Sequence, residues 1–255
     1  SSDVCSSDLA VKGSADITIG NIVGSNIMNI LIILGLAAVI TPLSVARSTV
    51  RVELPFVIAI TGLLLYQGMD GTISLADGAV LCLGFAVYLM YLYSMAVKSK
   101  VDDDLQEYGY SLQRCLLATA GGLAVIIAGS NLTVNAASAI AAYAGLSERF
   151  IGLTIVALGT SLPELFTSVT AARRGNADIA IGNIVGSNIF NILFVVGLSA
   201  LIIDIPFAAA FQFDSYVAIG TAALLWLCVL PKYRLNRWCG ALMLACYAVY
   251  LWRIL

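Results

Sequence analysis

Residues 15–37 read ADITIGNIVGSNIMNILIILGLA, and residues 177–199 read ADIAIGNIVGSNIFNILFVVGLS. The second copy follows the first at a constant offset of 162, with most positions identical. Unrelated apolar helices share Leu, Ile and Val through composition alone. They do not also share three Asn, a Ser and three Gly in one register, so the pattern is an internal duplication. Each copy is long and apolar enough for a helix to cross about 30 Å of hydrocarbon. Each also carries amides and a hydroxyl that lipid does not solvate. Long apolar helices that must satisfy polar groups among themselves define the fold class: an all-α, polytopic transmembrane bundle.

The rest of the chain agrees. Hydrophobic residues make up 60% of the 255 residues and charged residues 11%, against roughly 25% charged in an ordinary soluble domain. Too few charges remain to cover a soluble surface, and lipid is the expected solvent. A net charge of −2 offers nothing to a polyanion, which excludes nucleic acid as a partner. Histidine is absent, removing His metal sites and His general bases. The six cysteines form no CxxC pair and read as small hydrophobes with free thiols.

Apolar segments of spanning length are expected near 17–41, 50–67, 74–97, 110–129, 150–172, 179–203, 212–231 and 237–253, with the fourth running on helically toward Ala144. The one substantial polar break, 98–109, is expected to be a solvated linker. The chain then divides into a first repeat half at 10–97, the linker, and a second repeat half at 110–255. Residues 1–9 (Ser-Ser-Asp-Val-Cys-Ser-Ser-Asp-Leu) read as a foreign or truncated leader.

Alternating eight spans places Arg47, Arg51, Lys98, Lys100, Arg114, Arg173, Arg174, Lys232, Arg234 and Arg237 on one side, and Lys12, Arg149 and Arg253 on the other. The richer side is expected to be cytoplasmic. On that assignment the two copies enter the membrane from opposite sides, an inverted-topology repeat of the kind found in secondary transporters. The linker 98–109 is then cytoplasmic and the C-terminus outside.

Two polar constellations carry chemistry. In each repeat a Ser and an Asn four residues apart share a helix face: Ser25 with Asn29, and Ser187 with Asn191. They act either as glue between helices, beside the GxxxG motifs Gly20–Gly24 and Gly182–Gly186, or as oxygens of a shared central site. The second constellation is Ala157-Leu158-Gly159-Thr160-Ser161-Leu162-Pro163-Glu164. Glu164 reads as the one carboxylate well inside an apolar segment, with Glu53 and Asp77 nearer span ends. No Lys or Arg lies at a matching depth, which makes a mobile cation its simplest partner. Pro163 removes a helix hydrogen bond to Gly159 and is expected to free carbonyls near Ala157–Thr160. The hydroxyls of Thr160 and Ser161 fall on the face of Glu164. These are hard oxygen ligands, suited to Na⁺ or Ca²⁺. The alternative is a kinked helix whose hydroxyls bond back to its own carbonyls.

A Gly-Thr-Ser-x-Pro-Glu helix followed by a Gly-Asn-x-x-Gly-Ser-Asn helix, here within 151–203, resembles the alpha-repeat of the sodium/calcium exchanger family of calcium/cation antiporters, in its bacterial form. The resemblance implies two inverted five-helix halves holding ions at mid-membrane. It implies Thr160, Ser161 and Glu164 as ion ligands, Ala157 through its carbonyl, and Ser187, Asn191, Ser25 and Asn29 completing the cage. Some members of the family carry Asp where Asn191 stands, so less negative charge is expected here. At the offset of 162 the counterparts of Pro163 and Glu164 are Ser1 and Ser2, so the first alpha-repeat is expected to lack its own carboxylate helix and the chain to be truncated at its N-terminus.

The function expected is therefore secondary antiport of Ca²⁺ against Na⁺ or H⁺ by alternating access in the inner membrane, with no cofactor beyond the transported ions. A cation channel or uncoupled carrier is the alternative. An enzyme is excluded on chemistry, since a lone Glu with no second acid, no His and no activated nucleophile does not support hydrolysis.

Overall fold

The structure is a computed structural model that describes residues 19–98, 112–145, 159 and 161–254. The leader 1–9, the linker 98–109 apart from Lys98, and the expected ligands Ala157 and Thr160 lie outside the described residues. Eight helices are present among those described. They are α1 (Ile19–Ile40), α2 (Thr49–Asp70), α3 (Leu75–Lys98), α4 (Leu112–Tyr143), α5 (Leu162–Arg173), α6 (Ala177–Ile202), α7 (Ala209–Val229) and α8 (Arg237–Ile254). Five of them, α1, α2, α3, α6 and α7, are long and apolar enough to cross a membrane.

The offset of 162 persists far beyond the quoted motif. A π-helical stretch interrupts α1 at Asn29–Leu34 and α6 at Asn191–Val196. In both cases it begins at the third Asn of the motif. π-turns are rare and concentrate at functional sites, so their recurrence at equivalent positions marks this segment. Short strands recur as well: β1 (Leu43–Ser44), β2 (Thr72–Ile73), β3 (Ile205–Pro206) and β4 (Arg234–Leu235). β1 pairs with β4 and β2 with β3, both antiparallel, with Leu43 opposite Leu235 and Ile73 opposite Ile205. Each pairing joins one copy to the other, and adding 162 to one pairing generates the second. The two copies therefore meet through exchanged, reciprocal contacts, the geometry of an isologous interface.

Helix crossings follow the same rule. α3 crosses α6 where a Cβ on Gly78 would lie 2.8 Å from the Gly197 carbonyl oxygen, and α8 crosses α1 where a Cβ on Gly240 would lie 2.6 Å from that of Gly35. Only a residue without a side chain lets backbones approach this closely, the packing that membrane helices use when no hydrophobic drive separates protein from lipid. The start of α3 is capped by Ser74, whose N–H and hydroxyl both donate to Asp77 Oδ2 (2.9 and 2.6 Å). At the equivalent start of α8, Asn236 Oδ1 accepts from the Cys239 N–H (3.0 Å). Asp77 is thus the carboxylate partner of Ser74 in a capping box, its own N–H donating back to Ser74 Oγ (3.4 Å).

Burial adds two carboxylates that depth within a segment did not single out: Glu53 in α2 and Asp214 in α7, both buried near the starts of their helices. Thr49 donates to Glu53 Oε2 (3.0 Å), and the Tyr250 hydroxyl donates to Asp214 Oδ1 (3.0 Å). Position within a segment concealed them: both lie past the first turn but near the starts of their helices, where Tyr88 of α3 stands beside Glu53 and Tyr250 of α8 bonds Asp214. The apolar side chains of Leu83, Val87 and Met90 point outward from α3, at the spacing of one helix face, as lipid contact requires. The described cysteines Cys82, Cys228, Cys239 and Cys246 are free thiols.

Candidate functional site

Ser161 ends the preceding turn and stands at the N-cap of α5, with Pro163 inside the first helical turn. There a missing N–H leaves no bond of α5 unmade; the carbonyls of Ala157, Leu158 and Thr160 lie outside the described residues. Glu164 follows in that first turn, where the positive end of the helix dipole favours a carboxylate. One carboxylate oxygen is held: Ser187 Oγ on α6 donates to Glu164 Oε1 (3.0 Å). The other, Oε2, is buried without a hydrogen-bond partner among the described residues. α5 is anchored to α6 below this point, since Asn183 Nδ2 donates to Ser168 Oγ (3.2 Å) and Ser168 Oγ to the Ala180 carbonyl (3.1 Å).

Glu164 borders a cavity of about 200 Å³ with Ser161, Asn191, Ser25 and Asn21, closed by Ile22 and Val195. Among the described residues its lining holds one carboxylate, several neutral oxygens and no basic side chain. A buried carboxylate oxygen with no donor attracts a cation and repels an anion. Of the expected ligands, the structure brings Ser161, Glu164, Asn191 and Ser25 to this cavity and puts Ser187 one hydrogen bond away.

Asn29 does not line it. It is buried, and its Nδ2 donates to Asn188 Oδ1 (2.9 Å) while its own Oδ1 is left without a partner among the described residues. The equivalent bond runs from Asn191 Nδ2 to Asn26 Oδ1 (3.0 Å). Between them, Asn26 Nδ2 donates to the Asn188 carbonyl (3.4 Å) and Asn188 Nδ2 to the Asn26 carbonyl (3.2 Å). Four bonds thus cross from α1 to α6 in two reciprocal pairs. Glue and cavity lining overlap within one motif: Asn26, Asn29, Asn188 and Asn191 all tie the helices, while Ser25 and Asn191 also line the cavity.

Asn21, Asn26 and Asn188 were legible as polar positions but not as parts of a site. Their role depends on which helix faces them, which spacing along one helix does not determine. The signal that was available is the repetition itself, since every polar residue of the motif recurs at 162.

Comparison with known proteins agrees with this architecture. The family described as sodium/calcium exchanger protein matches residues 4–94 and 115–255. CaxA of Alkalimonas amylolytica is 39% identical over 96% of the chain and 80% of its own length. The inner membrane protein YrbG of Escherichia coli is 38% identical over 73% of the chain and 60% of its own length. Among solved structures, the sodium-calcium exchanger NCX_Mj, soaked with 10 mM Na⁺ and zero Ca²⁺, superposes with a TM-score of 0.75 at 32% identity, covering 93% of the chain and 77% of NCX_Mj.

Proposed function

Because the chain belongs to the sodium/calcium exchanger family, a family of membrane transporters and not of enzymes, we propose that it exchanges Ca²⁺ against Na⁺ at the cavity beside Glu164. Cation exchange is the family's activity, and the choice of Na⁺ as counter-ion and the residues named below are the reading advanced here. The observation that carries it is the buried, unpartnered Glu164 Oε2 in a cavity of neutral oxygens with no basic side chain among the described residues.

Glu164 supplies the charge, and Ser161, Ser25 and Asn191 supply neutral oxygens, with Thr160 and the Ala157 carbonyl in the roles their motif implies. Ser187 holds the carboxylate in place. Asn29 stands outside that lining, and its buried Oδ1, without a partner among the described residues, keeps only the role its motif implies. Ca²⁺ and Na⁺ both require the same carboxylate, so each excludes the other, and exchange follows when the loaded site opens alternately to the two sides. The inverted halves, the cytoplasmic linker 98–109 and an inner-membrane location belong to the same reading.

The test is ⁴⁵Ca²⁺ uptake into proteoliposomes carrying the protein expressed from its complete gene. An outward Na⁺ gradient should drive uptake, and dissipating it should stop uptake. Uptake driven by a proton gradient alone would reassign the counter-ion. Uptake indifferent to every counter-ion would make the protein a channel or an uncoupled carrier.

A further inference from the structure

A neutral amide is a cation ligand only when its oxygen, and not its NH₂, faces the ion, and in an apolar interior nothing but a hydrogen-bond partner selects between the two. Asn191 lines the cavity from the second copy, and the group that accepts its NH₂ is Asn26 Oδ1, from the first copy. Asn26 is itself held, because its Nδ2 donates to the Asn188 carbonyl and Asn188 Nδ2 donates back to the Asn26 carbonyl. By the same repeat, Asn188 Oδ1 accepts the NH₂ of Asn29.

We propose that Asn26 is a positioning residue for ion binding, acting across the repeat boundary: it anchors the NH₂ of Asn191 so that Oδ1 is presented to the cavity, and Asn188 anchors the NH₂ of Asn29 in the same way, leaving the Asn29 Oδ1 for an ion outside that cavity lining. Asn26 and Asn188 touch no ion. They are buried, and each spends both polar atoms of its side chain on the opposite copy. Helix glue alone requires a bond between the helices but is indifferent to which atom of Asn191 it engages. This arrangement engages the donor of both Asn191 and Asn29 and leaves Asn29 Oδ1 without a partner among the described residues. A further consequence is that the ligand oxygens of each copy are oriented by the other, so a movement between α1 and α6 disorders both amides together.

The proposal rests on Asn191 being a site oxygen, and a double-mutant cycle separates the two claims. ⁴⁵Ca²⁺ binding to purified protein is measured for Asn26→Leu, Asn191→Ala and the combination, with melting temperature followed in parallel. Asn26→Ala repeats the cycle should the bulkier side chain prevent folding. Asn26→Leu should weaken binding about 10-fold alone and less than about 2-fold in combination with Asn191→Ala, the non-additivity expected of residues acting through one group. The mirror cycle, Asn188→Leu with Asn29→Ala, should show the same coupling. Additive effects on binding, or a lowered melting temperature with unchanged binding, would reduce Asn26 to glue and overturn the proposal. Unchanged binding in Asn191→Ala itself would instead remove Asn191 from the site and take the proposal with it.

Discussion

Replacing Glu164 with Gln isolates the charge from the shape. Gln keeps an oxygen that accepts from Ser187 Oγ, so the 3.0 Å bond to α6 and the packing of α5 survive. What is lost is the unpartnered anionic oxygen, the one carboxylate lining the cavity among the described residues. Two unit charges about 4 Å apart attract by about 4 kcal/mol at an effective dielectric near 20, and a divalent ion doubles that to about 8 kcal/mol. If desolvation removes half, about 4 kcal/mol remains for Ca²⁺ and about 2 kcal/mol for Na⁺. The expected losses of affinity are then roughly 1,000-fold and 30-fold. Isothermal titration of the purified protein with each ion, with ⁴⁵Ca²⁺ flux alongside, reads both. Glu164→Gln should abolish Na⁺-driven Ca²⁺ uptake, retain a folded monodisperse protein and weaken Ca²⁺ far more than Na⁺. Unimpaired flux would refute the carboxylate as a ligand, and equal losses for the two ions would refute the electrostatic argument.

Smaller substitutions grade the same site. Asn191→Ala and Asn29→Ala remove a neutral oxygen and should each weaken ⁴⁵Ca²⁺ binding about 10-fold, well short of the Glu164 effect. At the helix crossings, Gly240→Ala forces a Cβ to within 2.6 Å of the Gly35 carbonyl oxygen and should cost about 1–3 kcal/mol, read as a lower melting temperature in detergent. Gly62→Ala, with nothing within 4 Å of the new Cβ, should leave stability unchanged or raise it by about 0.5–1 kcal/mol. For topology, single cysteines in a cysteine-free background at positions 103 and 174 should be shielded from an impermeant thiol reagent in intact cells, and one at 144 labelled. External labelling at 103 would undo the inverted arrangement.

How much of this was legible follows from the kind of information involved. Helix positions, the duplication at 162 and the polar residues of the motif are local properties. An apolar run of spanning length in lipid can satisfy its backbone only as a helix, and a repeated register is visible without any partner. The family followed from the same local patterns, as did Glu164 and Ser161, because a carboxylate beside a proline in an apolar segment stands out on one strand of text. Tertiary structure alone decided what each polar group faces. It paired Asn26 with Asn191 and Asn188 with Asn29 across α1 and α6, put Asn191 and not Asn29 on the cavity, placed Pro163 in the first turn of α5, and buried Glu53 and Asp214 against helices more than thirty positions away in the chain. It also extended the duplication from a motif to paired strands and mirrored glycine crossings. The physical reason is directional: a hydrogen bond or a close backbone approach depends on the orientation of a second element, and spacing along one helix specifies a face without specifying what lies opposite it.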